Sequence, residues 1–124
     1  MVVDTCIFID HIRSKDRTNT SLAKLPADEP VYVSVVTLFE LYCGATSPDK
    51  KQHIVDLTED LNLLPFNAEV AAKAGEIYQS LKRRNKQISV QDIMIAATCL
   101  IFGQPVLTRN KKDFMLVDDL KVLR

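Results

Sequence analysis

Four acidic residues stand out because each one follows an apolar stretch at the point where a helical pattern begins. They are Asp4, Glu40, Asp92 and Asp113. If the fold brings them within about 5 Å of one another, each pair repels by about 3 kcal/mol at an effective dielectric of about 20. Either protons or a cation must relieve such repulsion, because no lysine or arginine inside the apolar segments is placed to do so. Oxygen ligands favour a hard cation, Mg²⁺ or Mn²⁺. The residue types therefore predict a metal site built from carboxylates.

A metal held by carboxylates has a limited chemistry. It activates a water molecule and stabilises the charge that develops on a phosphoryl group during displacement. Hydrolysis of a phosphodiester bond fits this chemistry best. Because a metal-bound hydroxide can act as the base, no catalytic histidine is required. His11 and His53 lie in polar, helix-surface contexts and are not expected to bind the metal.

Each acid, taken singly, is explained more simply as part of a helix start. Three of them lie three positions after a residue that could cap a helix, which is the spacing of a capping box or a near relative. The three pairs are Thr37 with Glu40, Ser89 with Asp92, and Asn110 with Asp113. An acid in a first helical turn also gains about 0.3–1 kcal/mol from the helix dipole. The site interpretation rests on the set, because Glu40 and Asp92 begin helices whose bodies look buried.

The elements that must position these acids alternate along the chain. Short apolar, β-branched stretches at 2–3, 31–33, 63–64 and 106–107 predict buried strands, and the longer segments between them have helical periodicity. This alternation predicts an α/β fold, a three-layer α/β/α sandwich with a central parallel sheet, in a single domain over residues 1–124. In such a sheet the carboxyl ends of the strands line one edge, where ligand sites form.

The helices are predicted from their apolar spacing and their end signals. The clearest one runs from Asn67, its cap, to about Arg84. Another runs from Ser89 to Phe102, is stopped by Gly103, and is apolar on nearly all sides. Shorter helices are expected after Val3 and from about Thr37, and residues 122–123 could add an edge strand.

Composition and charge exclude several classes of protein. The 16 basic residues balance the 16 acidic ones, so the chain is not held on nucleic acid by bulk electrostatics. Two local basic clusters remain for substrate attraction, at 82–86 and at 109–112, and the second shares a loop with Asp113.

The three cysteines are odd in number, far apart and set among apolar neighbours, which predicts buried, reduced thiols and a cytoplasmic protein. The longest apolar run, 93–102, is far shorter than a membrane span, so no membrane association is expected.

The segments around the four acids form a recognisable set. They are V-V-D-T-C-I-F-I-D around Asp4, S-V-V-T-L-F-E-L-Y-C-G-A around Glu40, D-I-M-I-A-A-T from Asp92, and T-R-N-K-K-D-F through Asp113. Together these segments resemble the PIN domain family and, within it, the VapC-type toxin ribonucleases of bacterial and archaeal toxin-antitoxin pairs. They keep the order and spacing of the family from Val2 to Phe114, whereas residues 50–88 match only in helical character.

The resemblance implies an Mg²⁺-dependent endoribonuclease, with Asp4, Glu40, Asp92 and Asp113 as the catalytic acids. It implies that Asp4 and Asp92 are the direct metal ligands. It further implies supporting roles for Thr5, Thr37, Thr108 and Asn110. The cluster beside Asp113 would then contact RNA phosphates through Arg109, Lys111 and Lys112. This chain departs from the family pattern two places after Asp4, where it has Cys6 and the family often has Asn or another small polar residue.

The resemblance also implies partners. They are an RNA substrate, a second copy of the chain in a homodimer, and a cognate antitoxin protein that inserts a segment near the acidic pocket.

Three alternatives differ in chemistry. The first is a catalytically silent PIN-like module that binds RNA or protein. A phosphorelay receiver is disfavoured because Asp56 lies in a polar stretch and not at the end of a central strand. A haloacid-type phosphatase is excluded because it requires Asp where Cys6 stands.

Overall fold

The structure is a computed structural model that describes residues 1–123. It consists of short strands that alternate with longer helices. In chain order the elements are β1 (Val2–Val3), α1 (Thr5–Arg13), β2 (Tyr32–Ser34), α2 (Val35–Cys43), α3 (Pro48–Thr58), β3 (Asn62–Leu64), α4 (Ala68–Arg83), α5 (Val90–Ile101), β4 (Val106–Leu107) and α6 (Lys111–Phe114). Within the described residues, no helix is long and apolar enough to cross a membrane.

The four strands form one parallel sheet in the order β3-β2-β1-β4. Val2 pairs with Tyr32 on one side and with Val106 on the other, so β1 lies between β2 and β4. The expected edge strand at 122–123 is reduced to a single parallel bridge between Val122 and Val106. Since all strands run in the same direction, the residues that follow β1, β2 and β4 lie along one edge of the sheet.

The sheet is the middle of three layers. Successive side chains of a strand point to opposite faces, and accordingly Val2 and Val3 belong to different hydrophobic clusters. Val2 packs with residues from α4, α5 and α6, whereas Val3 packs with residues from α1, α2 and α3. The predicted α/β/α architecture is therefore confirmed.

Two long helices end with the same hydrogen-bond pattern. At the end of α5 Gly103 has a φ of 64°, and Gln104 N–H donates to the Cys99 carbonyl at 2.9 Å. At the end of α4 Asn85 has a φ of 55°, and Lys86 N–H donates to the Leu81 carbonyl at 2.8 Å. Both are Schellman motifs, in which glycine or asparagine takes the left-handed position. The stop at Gly103 is the one that the sequence predicts.

Two helices differ from expectation. Helix α2 begins two residues before Thr37, and its cap is Ser34, whose hydroxyl accepts a hydrogen bond from the Val36 N–H. The placement of Glu40 in a first turn is therefore wrong, and Glu40 lies in the second turn of α2. Helix α3 was not predicted as a separate helix because Ile54 is its one buried residue, so it lacks an apolar stripe. Its start signals are local, a Ser47 cap followed by Pro48.

The cysteines also differ from expectation. Cys99 is fully buried, Cys6 is half-buried and Cys43 is exposed, and all three are free thiols. Burial raises the pKa of Cys99 to about 12. The prediction of reduced thiols agrees with these positions, whereas the prediction that all three are buried was wrong.

Candidate active site

Asp4 is the buried centre of the candidate site. It follows β1 and caps α1, with Oδ1 accepting a hydrogen bond from the Thr5 N–H at 2.8 Å. Its Oδ2 accepts hydrogen bonds from the Thr108 hydroxyl at 2.7 Å and from the Cys6 thiol at 3.3 Å. The residue is only 4% exposed. Both carboxylate oxygens therefore have donors, which is the condition for burying this polar group at low cost.

Glu40 reaches the site through Thr5. The Thr5 hydroxyl lies 2.8 Å from Glu40 Oε1 and 3.0 Å from the Thr37 hydroxyl. Thr37 is fully buried, whereas Glu40 is half-buried. Helix α2 thus presents two residues three positions apart, on one face, to the start of α1. The position of Glu40 in the second turn of α2 lets it meet Thr5.

Asp92 and Asp113 are joined by Asn110. The Asn110 side-chain amide donates to Asp92 Oδ2 at 3.1 Å and to Asp113 Oδ2 at 3.0 Å. The backbone N–H of Asn110 donates to the Thr108 hydroxyl, which in turn donates to Asp4. Asn110 therefore binds acids with its side chain and does not cap α6 with it.

These contacts form one continuous hydrogen-bond network. It runs from Glu40 through Thr5 to Asp4, then through Thr108 to Asn110, and from there to the two remaining acids. The structure thus brings together all eight residues that the sequence places in the catalytic and supporting roles: Asp4, Thr5, Thr37, Glu40, Asp92, Thr108, Asn110 and Asp113.

The charge of this cluster is visible at Asp92. Burial raises the pKa of Asp92 to about 6, and the negative charges of Asp4 and Glu40 act in the same direction. Hydrogen bonds from Ser89 and Asn110 oppose the shift. In the described part of the chain the ion pairs are Lys73–Glu76 and Arg109–Asp10, so none of the four site acids has a basic partner. The cluster is negative and uncompensated by side chains.

The three basic residues predicted to bind substrate do not enter this network. Arg109 forms a two-pronged ion pair with Asp10 on α1, with Nε–Oδ2 at 2.9 Å and Nη2–Oδ1 at 3.3 Å. Lys111 and Lys112 are exposed at the start of α6. Arg109 directly precedes Asn110 and the two lysines directly follow it, so all three border the site without touching the four site carboxylates.

Comparison with known proteins shows the family to which the chain belongs. The model of the PIN domain family matches residues 1–120. The chain belongs to the PIN domain family. The fold and family expectations drawn from the four acidic segments are thereby confirmed.

Individual PIN relatives cover nearly the whole chain. Ribonuclease VapC from Rickettsia bellii is 30% identical, over 99% of this chain and 94% of its own. The tRNA(fMet)-specific endonuclease VapC of Salmonella typhimurium is 27% identical, over 96% of this chain and 91% of its own. The structure of VapBC-1 from nontypeable Haemophilus influenzae superposes with a TM-score of 0.83 at 26% identity, covering 98% of this chain and 95% of that one.

The PIN site suits a hard cation. Its charged donors are carboxylate oxygens, and no group of three or more His, Cys, Asp or Glu side chains among residues 1–123 forms a ready-made metal cage. Mg²⁺ is commonly bound in this way, through one or two carboxylates with water completing the shell. A Zn²⁺ site would instead require three or four closely placed protein ligands. The donor set therefore fits Mg²⁺ or Mn²⁺.

Cys6 and Asp10 were not predicted as partners of this PIN site. Both form hydrogen bonds with Arg109, in the loop after β4. The Cys6 sulfur accepts a hydrogen bond from the Arg109 N–H at 3.4 Å, and Asp10 binds the guanidinium of the same residue. Burial raises the pKa of Cys6. The four-residue spacing of Cys6 and Asp10 was a readable signal, since it places both side chains on one face of α1.

Proposed function

We propose that this chain is a divalent-metal-dependent endoribonuclease that hydrolyses RNA phosphodiester bonds, with Mg²⁺ as the metal and Mn²⁺ as a substitute. It acts as a single PIN domain over residues 1–124. The observation that carries the proposal is the network that joins four carboxylates on one edge of the sheet while no basic side chain of the described residues pairs with them. Relatives named as VapC ribonucleases support the reaction class.

Each acid has its own role in this proposal. Asp4 and Asp92 bind the ion directly. Glu40 and Asp113 hold waters of its shell or a second ion. When bound, the metal supplies an activated water and stabilises the charge on the scissile phosphate.

The neutral residues of the network orient these acids. Thr5 binds Glu40 and is itself bonded to Thr37. Thr108 donates to Asp4, and the Asn110 amide donates to both Asp92 and Asp113. Such supporting partners typically change metal affinity or activity by 10- to 100-fold when they are removed.

RNA phosphates are contacted by the basic residues that border the acids. Lys111 and Lys112 are exposed and face solvent from the start of α6. Arg109 must exchange its bond to Asp10 for a phosphate oxygen, and this exchange is inexpensive because the side chains of Arg109 and Asp10 are 65% and 46% exposed.

The relatives support a biological setting. The H. influenzae structure is named VapBC-1, and VapBC-5 from Mycobacterium tuberculosis is named as a member of the VapBC family of toxin-antitoxin systems. We extend this to the present chain as the toxin of a toxin-antitoxin pair, active in the cytoplasm as a homodimer and inhibited by a cognate antitoxin.

The direct test compares RNA cleavage by the wild type and by Asp92→Asn, each with Mg²⁺ and with a chelator. Wild type with Mg²⁺ should cleave, and the other three combinations should not. Asp60→Asn is the matched control, because Asp60 is an exposed acid outside the network. Equal cleavage in all conditions would refute the mechanism. RNA binding without any cleavage would favour the catalytically silent module.

A further inference from the structure

A second feature of the molecule lies outside the acidic network. It is a cleft of about 270 Å³ between the end of α4 and the start of α5. Its walls include one aromatic residue, Tyr78, two lysines, Lys82 and Lys86, and two isoleucines, Ile88 and Ile93. Lys82 and Lys86 belong to the basic cluster 82–86 noted in the sequence, and the proposed site acids, their supporting residues and the phosphate contacts include none of the five.

The backbone of this cleft is fixed by local structure. Tyr78 and Lys82 are four residues apart, so they lie on the same face of α4. The Schellman motif at Asn85 then reverses the chain, with Lys86 N–H bonded to the Leu81 carbonyl at 2.8 Å. Lys82 before the reversal and Lys86 after it both line the cleft together with Tyr78. One concave surface therefore combines an aromatic residue with two lysines.

The cleft combines an accessible aromatic ring with positive charge. Tyr78 is 51% exposed, which leaves part of its ring accessible. Residues 77–91 contain four basic residues and no acid, in a chain whose net charge is zero. Arg84 is engaged elsewhere, with Nη2 on the Leu116 carbonyl at 2.9 Å, so the positive charge within the cleft comes from the two lysines.

Three other surface clefts lack this combination. Each of them has Asp or Glu in its wall: Asp118 and Asp119 in one, Asp28 and Glu29 in another, and Glu40 and Asp49 in the third. None of the three has Phe, Tyr or Trp in its lining, and the one that contains His53 also contains Glu40 and Asp49. A polyanion with flat bases is therefore matched by the cleft at Tyr78 better than by these surfaces.

The cleft also borders the acidic network along the chain. Ile88 directly precedes Ser89, whose hydroxyl accepts a hydrogen bond from the Asp92 N–H at 3.1 Å. Ile93 directly follows Asp92. The wall of the cleft and the start of the helix that holds Asp92 are thus one continuous piece of backbone.

We propose that this cleft binds a nucleotide of single-stranded RNA next to the scissile phosphate, with its base stacked on Tyr78 and its phosphate held by Lys82 and Lys86. The inference rests on the proposed ribonuclease function and names an additional part of its substrate site. Stacking on an aromatic ring does not depend on which base is stacked. The cleft therefore adds affinity and fixes the position of the strand, but it does not select a particular base.

The test uses the whole chain with Asp92→Asn, which under the proposed function should bind RNA without cutting it, and a fluorescein-labelled single-stranded RNA of mixed sequence. Adding Tyr78→Leu should weaken binding about tenfold, because leucine fills similar space without a π face. Adding Tyr78→Phe should leave affinity unchanged, because the ring is retained. Lys82→Gln and Lys86→Gln should each weaken binding and reduce the salt slope by about 0.7. Lys51→Gln, at an exposed lysine on α3, is the matched control.

The outcomes separate the two proposals. If Tyr78→Leu and both lysine variants keep the RNA affinity of the Asp92→Asn protein, the cleft does not bind RNA, whether or not the wild type cleaves it. A change of molecular mass by size-exclusion chromatography in Tyr78→Leu without RNA would also overturn it, since the surface would then be a protein interface. Weakened binding by the variants combined with a wild type that never cleaves would refute the nuclease and leave the cleft as an RNA-binding site.

Discussion

The starts of α1 and α5 each carry an acid that we propose as a metal ligand, yet the two acids are held differently. Asp4 is buried, and its oxygens accept hydrogen bonds from Thr5, Thr108 and Cys6. Asp92 is half-buried, and its Oδ2 accepts a hydrogen bond from the Asn110 side-chain amide. The donors at Asp4 satisfy both of its buried oxygens. At Asp92 burial and neighbouring charges raise the pKa. One acid therefore serves the fold as well as the site, whereas the other carries its negative charge at a cost.

The largest expected effect separates these two starts by stability. Asp4→Ala should lower the free energy of unfolding by about 2–3 kcal/mol, because it leaves the Thr108 hydroxyl and other buried donors without an acceptor. Asp92→Ala should cause no such loss in metal-free protein. Urea unfolding with a chelator measures both. Similar losses in the two variants would show that the starts of α1 and α5 do not differ in this way.

The next effect sharpens the role of Asn110, which couples Asp92 to Asp113. Asn110→Ala should lower kcat/KM for RNA cleavage by about 10- to 100-fold, because both carboxylates lose the amide that orients them. Stability should change little, since Asn110 is exposed. Raising the Mg²⁺ concentration should restore part of the activity if the loss is in metal affinity. Full activity at low Mg²⁺ would remove Asn110 from the site.

A smaller effect follows from the pKa of Asp92. It is about 6 in the folded protein and 3.8 when unperturbed, so between these values the folded state binds more protons than the unfolded state. The free energy of unfolding should therefore fall as the pH rises from about 4 to about 6, and the loss should persist above pH 6. In metal-free protein at about pH 7, Asp92→Asn should be more stable than wild type by about 1 kcal/mol, a figure reduced for solvent screening.

The control for that measurement is Asp60→Asn, which removes an exposed acid far along the chain from the network. At about pH 4 wild type and Asp92→Asn should have equal stability, because Asp92 is then protonated in the folded state. Added Mg²⁺ should stabilise wild type more than Asp92→Asn. An equal gain in both proteins would mean that Asp92 does not bind the ion.

The smallest effect concerns the pair between Asp10 and Arg109. Asp10→Asn should change the free energy of unfolding by less than about 1 kcal/mol, as expected of an exposed ion pair. It should also lower the KM for RNA by a factor of about two, because the freed guanidinium can bind phosphate. Steady-state kinetics would distinguish this role from a structural one. A lower kcat at unchanged KM would mean that the ion pair positions the loop after β4.

Much of the fold is readable from local signals in the sequence. The strands at Val2–Val3 and Val106–Leu107, the Asn67 cap and the Gly103 stop are all set by residues next to one another, because propensity, capping and left-handed backbone depend on near neighbours. The start of α2 was misplaced because Thr37 offers a cap signal as good as that of Ser34. Helix α3 was missed because a helix with a single buried residue carries almost no periodic signal.

By itself the sequence determined the α/β class, the residue types of the site and the positions of the acids relative to predicted strands. The tertiary structure alone decided which partners they meet. Thr108 bonds Asp4 from 104 residues away, and Arg109 bonds Asp10 from 99 residues away. These contacts exist because β4 pairs with β1 and β2 lies on its other side, and a strand order is fixed by packing over the whole chain. The raised pKa of Asp92 has the same origin, since it depends on burial and on charges brought close by folding.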